Sequence, residues 1–119
     1  GSGLVGSEMC IRDSSSSDLK EAMKLAMESL EGEEVLILAD LVGGTPFNVA
    51  AALKQECTDR RIKVMAGVNM ASLVEAVFSR PMYGLDGLAA AVLTAGREGI
   101  KDLDGLGSEE EGPEFEDGL

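Results

Sequence analysis

The sequence predicts an α/β domain built on an open parallel sheet with helices on both faces. Three observations carry this. Two short apolar runs, Val35–Ala39 (VLILA) and Ile62–Ala66 (IKVMA), are unbroken by polar alternation in the first case and nearly so in the second. Such runs suit strands of a parallel sheet covered on both sides. Each run is followed by a turn and a helical pattern, so the order reads α-β-α-β-α-α with right-handed crossovers expected. The third observation is size. A chain of 119 residues with 45% apolar content suits one small domain whose core, at 3% aromatics, consists of Leu, Val, Ala and Met.

The elements follow in order. Asp18 and Glu21 have the spacing of a capping box, and Leu19, Ala22, Met23, Ala26, Met27 and Leu30 then repeat at helical spacing until Gly32. After the first strand, Thr45 is expected as the N-cap and Pro46 as the first residue of a helix running to about Gln55. Asn69 is expected to cap the next helix, with Met70, Leu73, Val74 and Val77 on one face for core or dimer packing and Arg80-Pro81 as its end. A last helix is expected to carry Leu88, Ala91, Val92, Ala95 and Leu103. Two strands make less than the usual sheet of four to six. Val35–Ala39 is also too apolar to border an open edge, so further strands are expected before residue 18.

What stands there instead, Leu4–Asp13 (LVGSEMCIRD), has neither periodicity nor turn logic. It resembles the translation of a transposon-derived sequencing adapter, in which ATG-TGT-ATA-AGA-GAC reads Met-Cys-Ile-Arg-Asp. Residues 1–14 are therefore read as a foreign, disordered leader, residues 15–106 as a truncated domain, and residues 107–119 as an acidic disordered tail.

Charge and composition exclude several function classes. The formal net charge is −12, and Ser108–Leu119 (SEEEGPEFEDGL) supplies six acids and no base. That balance argues against nucleic acid and anionic membranes and is compatible with a basic protein partner. Cys10 and Cys57 form neither a CxxC nor a disulfide framework, which fits a reducing cytoplasm. No apolar run approaches the roughly 20 residues of a membrane span, and no secretion signal is evident.

The chemistry concentrates in Ala39–Leu53 (ADLVGGTPFNVAAAL). A strand end, a glycine turn and a helix start place backbone N–H groups outward, an arrangement suited to phosphate. Gly43 and Gly44 permit backbone angles forbidden to other residues and close approach to a phosphoryl oxygen. Asp40 lies at the carboxyl end of the strand, where ligands gather in open α/β sheets. Thr45 can cap the helix or donate its hydroxyl to the anion, two roles that compete for one side chain. Phe47 is expected under the turn, Asn48 as a side-chain fastener of the loop, and Arg60 and Arg61 as solvated loop charges. A phosphate site usually serves a nucleophile, most often histidine, and this chain has none.

From Glu34 onward, "VLILADLVGGTPFNVAA", "VMAGVNMASLVEAVFSR" and "TAGREGIK" resemble the mannose-family enzyme IIA of the bacterial sugar phosphotransferase system. The pattern D-x-x-G-G-T-P-F-N, followed after a strand by G-V-N-M-x-x-L-x-E, is specific. The resemblance implies a cytoplasmic phosphotransferase that carries phosphate on a histidine, with no metal and no cofactor. It implies the histidine-containing phosphocarrier protein as donor, enzyme IIB as acceptor, membrane sugar permease components downstream, and a homodimer in the intact parent. Asp40 becomes the carboxylate that orients the histidine, and Gly43, Gly44 and Thr45 become the phosphoryl-binding turn. The family's first two strands and first helix, and with them the histidine, are absent, so this chain is expected to be inactive. Two rivals are the related phosphocarrier subunit of dihydroxyacetone kinase, whose turn resembles G-S-A-K-M-N, and a non-enzymatic anion-binding or regulatory module.

Overall fold

The computed structural model describes residues 16–107. The proposed leader and almost all of the acidic tail lie outside the described residues. The order is α1 (Ser16–Glu28), β1 (Glu34–Leu38), α2 (Thr45–Glu56), β2 (Arg61–Met65), α3 (Met70–Ser79), α4 (Leu85–Glu98) and α5 (Leu103–Gly107). Strands β1 and β2 pair in parallel, with Val35 opposite Ile62 and Ile37 opposite Val64. Among the described residues the sheet contains these two strands alone.

The register decides which helix covers which face. Side chains alternate along a strand, so Val35, Ile37, Ile62 and Val64 point to one side. There they meet Met27, Met23 and Leu30 of α1 and its C-terminal end, and Leu53 of α2, in the main core. The other side receives α4, and α3 packs on α4. The helices thus lie on both faces, as expected. The strand covering is incomplete: Val35 and Ala39 are buried, whereas Leu36, Ile37 and Leu38 between them are only half-buried.

Local signals account for most boundaries. Helix α1 begins at Ser16, so Asp18 sits within its first turn rather than before it. Gly32 takes φ +96 in the connection to β1, a left-handed angle that favours glycine. Arg60, expected in solvent, donates from Nη1 to Met27 O at 2.5 Å and so holds the end of α1. Asn69 caps α3 with a reciprocal pair: its Oδ1 accepts from Ser72 N at 3.0 Å, and Ser72 Oγ accepts from Asn69 N at 2.9 Å.

Two expectations are corrected, and of the two packings expected for the apolar face of α3, core or dimer, the core is corrected. Thr45 is not the cap of α2: Gly44 is, with φ −74 and ψ 169, and no side chain caps the helix. The last helix stops at Glu98, and Leu103 begins a separate short helix in which it is 78% exposed. The large apolar face of α3 is open: Met70 is 72% exposed and Leu73, Val74 and Val77 are all exposed. Helix α3 instead presents small residues to its neighbours, with Ser72, Ala76 and Ser79 buried. The approach of α3 to α4 is so close that a Cβ on Gly99 would lie 2.5 Å from Ala71 Cβ. Bulky side chains do not fit that seam, so they are left on the outside.

Candidate functional site

The carboxyl ends of β1 and β2 carry the candidate site. Strand β1 leads through Ala39 to Asp40, whose side chain is exposed and has no hydrogen-bond partner among the described residues. The backbone here is fixed from the loop after β2: Gly67 N donates to Asp40 O at 3.1 Å, and Val68 N donates to Ala39 O at 3.4 Å. Gly67 makes this reach at φ +80. The link between the two loops was not foreseen from sequence. The only sequence signal for it is a glycine directly after the second strand, in Ala66–Asn69 (AGVN).

The turn after Asp40 closes with Gly44 N donating to Leu41 O at 3.3 Å. Gly43 uses the freedom of glycine, at φ +83, whereas Gly44 has an ordinary angle. A Cβ at Gly43 would meet nothing within 4 Å, so its requirement is conformational and not steric. Helix α2 then starts at Thr45, with Pro46 in its first turn and Asn48 N donating to Gly44 O at 2.9 Å. Asn48 acts as the expected fastener, its Nδ2 donating to Gly43 O at 3.1 Å.

Released from capping, Thr45 has an exposed side chain at the positive end of the α2 dipole. Gly43, Gly44 and Thr45 are therefore consecutive on one turn, with Asp40 three residues before Gly43 at its entrance. A groove of about 540 Å³ runs from this turn between α1 and α2, lined by Ser17, Lys20, Thr45, Asn48, Val49 and Ala52. Lys20, at the α1 side of that groove, is ion-paired with Glu56. Phe47, expected beneath the turn, is half-buried and lines a different groove of about 740 Å³ along β2 between α2 and α4. Asn69 is consumed by structure: beyond its capping bonds, its Nδ2 donates to Gly96 O at 2.9 Å.

The charged cluster lies at the opposite, amino end of the strands. Arg61, read as a solvated loop charge, bonds Asp86 at 2.7 Å and Glu34 at 3.3 Å, and Lys63 lies 3.3 Å from Asp86. The hydrogen bond from Arg61, followed by that from Lys63, holds the Asp86 carboxyl below the usual carboxylate range. The same bond to Asp86 raises Arg61 above its ordinary value. No group of three or more potential metal ligands occurs among the described residues. No helix there is long and apolar enough to cross a membrane.

Comparisons with known proteins give the chain a family. The family model EIIA-man, described as the PTS system fructose IIA component, matches residues 5–93, more than half of the chain. The chain belongs to this mannose-type EIIA family. It is 40% identical over 72 residues to the PTS system mannose-specific EIIAB component of Escherichia coli (strain K12), covering 58% of this chain and 21% of that protein. It is 39% identical over 71 residues to the PTS system fructose-specific EIIA component of Bacillus subtilis (strain 168), covering 59% of this chain and 47% of that protein. Its structure is similar to the crystal structure of phosphotransferase system component EIIA from Streptococcus agalactiae. The TM-score is 0.72 and the identity 44%, covering 77% of this chain and 70% of that one. The chain thus spans less than half the length of the curated relatives it matches. The parallel sheet with helices on both faces agrees with the EIIA fold.

Proposed function

We propose that the chain is the phosphoryl-binding portion of a phosphohistidine carrier in a sugar phosphotransferase system. The observation that carries this reading is the exposed Asp40 carboxylate at the end of β1, next to the Gly43–Thr45 turn, within the family's D-x-x-G-G-T-P-F-N pattern.

In the intact carrier a histidine from outside these residues stands beside Asp40. The carboxylate accepts a hydrogen bond from one ring nitrogen and fixes the tautomer, which leaves the other nitrogen's lone pair free to attack phosphorus. The bond between phosphorus and the donor protein's histidine breaks as the new N–P bond forms. Charge on the transferring group is stabilised by N–H groups of the turn, by the Thr45 hydroxyl and by the α2 dipole. No metal or cofactor takes part in the carrier's own step. The donor is the histidine-containing phosphocarrier protein, the acceptor is enzyme IIB with its sugar permease, and the carrier works in the cytoplasm as a homodimer. The 119-residue chain contains no histidine, so on this reading it does not itself accept phosphate.

The test restores a histidine-bearing strand–helix–strand segment from an EIIA relative ahead of Ser15 and follows acid-labile phosphate taken from the phosphorylated carrier protein. The restored protein is expected to be labelled. Asp40→Asn should slow labelling with the fold intact, and Thr45→Ala should slow it further from the parent rate than a distant control. Labelling of both variants at the parent rate would overturn the assignment.

A further inference from the structure

The turn that the proposed function uses has a conformational problem. Gly43 sits at φ +83 with open space around the position of a Cβ. Glycine occupies positive and negative φ about equally, so the absence of packing leaves nothing steric to select the left-handed state. A polar contact has to do so.

Two residues supply donors to this turn, one from the turn itself and one from α2. One is Gly44 N to Leu41 O at 3.3 Å, which closes the loop at long range and leaves the Gly43 carbonyl untouched. The other grip comes from Asn48. Its backbone N–H takes Gly44 O at 2.9 Å, and its Nδ2 takes Gly43 O at 3.1 Å. The amide therefore spans the helix start and draws in the carbonyl that precedes the cap. That has two consequences. It fixes the orientation of the Gly43–Gly44 peptide, and it turns a partly negative oxygen toward a donor on the helix and away from competing with an anion for space.

We propose that Asn48 is the positioning residue of the phosphoryl-binding turn: through Gly43 O it selects the left-handed Gly43 and so aligns the donors of Gly43 and Thr45 on an anion, while Gly44 N–H closes the turn onto Leu41 O. The inference rests on the reading of that turn as a phosphoryl site. It gives the last residue of the D-x-x-G-G-T-P-F-N pattern a role distinct from that of Asp40 and Thr45, since Asn48 acts through a backbone carbonyl and does not touch the phosphoryl group.

The 119-residue chain, Asn48→Ala and Asn48→Gln are each titrated with inorganic phosphate while backbone amide shifts are followed by NMR. The HN–Hα couplings of Gly43 are measured in the same samples without phosphate. In the wild type, shifts should centre on Gly43, Gly44 and Thr45. Losing one net hydrogen bond in Asn48→Ala should raise half-saturating phosphate about threefold to tenfold, with Gly43 couplings averaged. The longer amide of Asn48→Gln should recover most of both effects. A purely structural role would lower the thermal midpoint and leave phosphate affinity unchanged. Unchanged affinity in Asn48→Ala, or an unchanged Gly43 coupling, overturns the positioning role while the anion site stands. A wild type that shows no response to phosphate at the turn overturns the anion reading, and the positioning role with it.

Discussion

Replacing Gly99 with alanine isolates the close approach of α3 and α4, which sets what α3 shows to solvent. Gly99 ends α4 at φ −77, an angle open to any residue, so a methyl group meets no backbone penalty. Its Cβ would nevertheless lie 2.5 Å from Ala71 Cβ and 3.2 Å from Ala95 O. Carbon atoms pack at about 3.5–4.0 Å, so the helices must part by about an ångström. Overpacking of this kind costs about 1–3 kcal/mol, against about 0.4–1 kcal/mol gained by restricting the unfolded chain. A net loss of about 1–2 kcal/mol should lower the thermal midpoint by roughly 4–8 °C per kcal/mol in a domain of this size. Removing the opposing methyl separates packing from other causes. Ala71→Gly alone should cost about 1 kcal/mol by helix propensity. The double variant should be no less stable than Ala71→Gly. Urea unfolding of the four proteins then gives a coupling of about 1 kcal/mol or more in favour of the pair. If the two costs add to within about 0.5 kcal/mol, Gly99 and Ala71 do not face each other and the account of the seam is wrong.

Asn69→Ala should cost about 1–2 kcal/mol, because it removes one half of the capping box and the bond to Gly96 O together. Asn69→Asp keeps the acceptor for Ser72 N and loses only the donor, so urea unfolding should rank it between the parent and Asn69→Ala. At the other end of the sheet, Arg61 and then Lys63 depress the Asp86 carboxyl. A depressed folded value means that the group stabilises the fold above its unfolded value, near pH 4. That stabilisation is lost as pH falls through the folded value. Thermal midpoints of Asp86→Asn should accordingly fall less steeply than the parent's on acidification below about pH 4, and equal slopes would remove Asp86 from the acid limb.

The two strands and the three longer helices after them were legible because each carries a local signal with a physical cause. Apolar runs mark strands covered on both sides, Asn69 marks a helix start, and Pro81 stops α3. The candidate site was legible as a set of neighbouring residues, Asp40, Gly43, Gly44 and Thr45, which the chain itself brings to the end of β1, and their phosphoryl role is our proposal. Their division of labour was not. Thr45 and Gly44 both satisfy the rules for a cap, and Pro46 fits the first turn either way, so only the backbone angle of Gly44 decides. The bonds from Gly67 to Asp40 and from Asn48 to Gly43 run backward or between loops, and no periodicity encodes them. The α3 face misled as a core face for a related reason. Spacing shows that Met70, Leu73, Val74 and Val77 share a face, and their size suggests a core. A seam tight enough to exclude a methyl at Gly99 selects Ser72 and Ala76 instead.

On the proposed function, this chain has the phosphoryl-binding turn of an EIIA carrier and, with no histidine, lacks the atom that carries the phosphate. The direct measurement is to incubate the unmodified 119-residue chain with the radiolabelled, phosphorylated phosphocarrier protein and to count label that stays with the chain after separation. No label above background is expected at any time point, while a histidine-bearing relative in the same reaction is labelled. Label held by this chain and mapped to any residue within it would contradict the account, because a nucleophile would then lie among residues that contain no histidine.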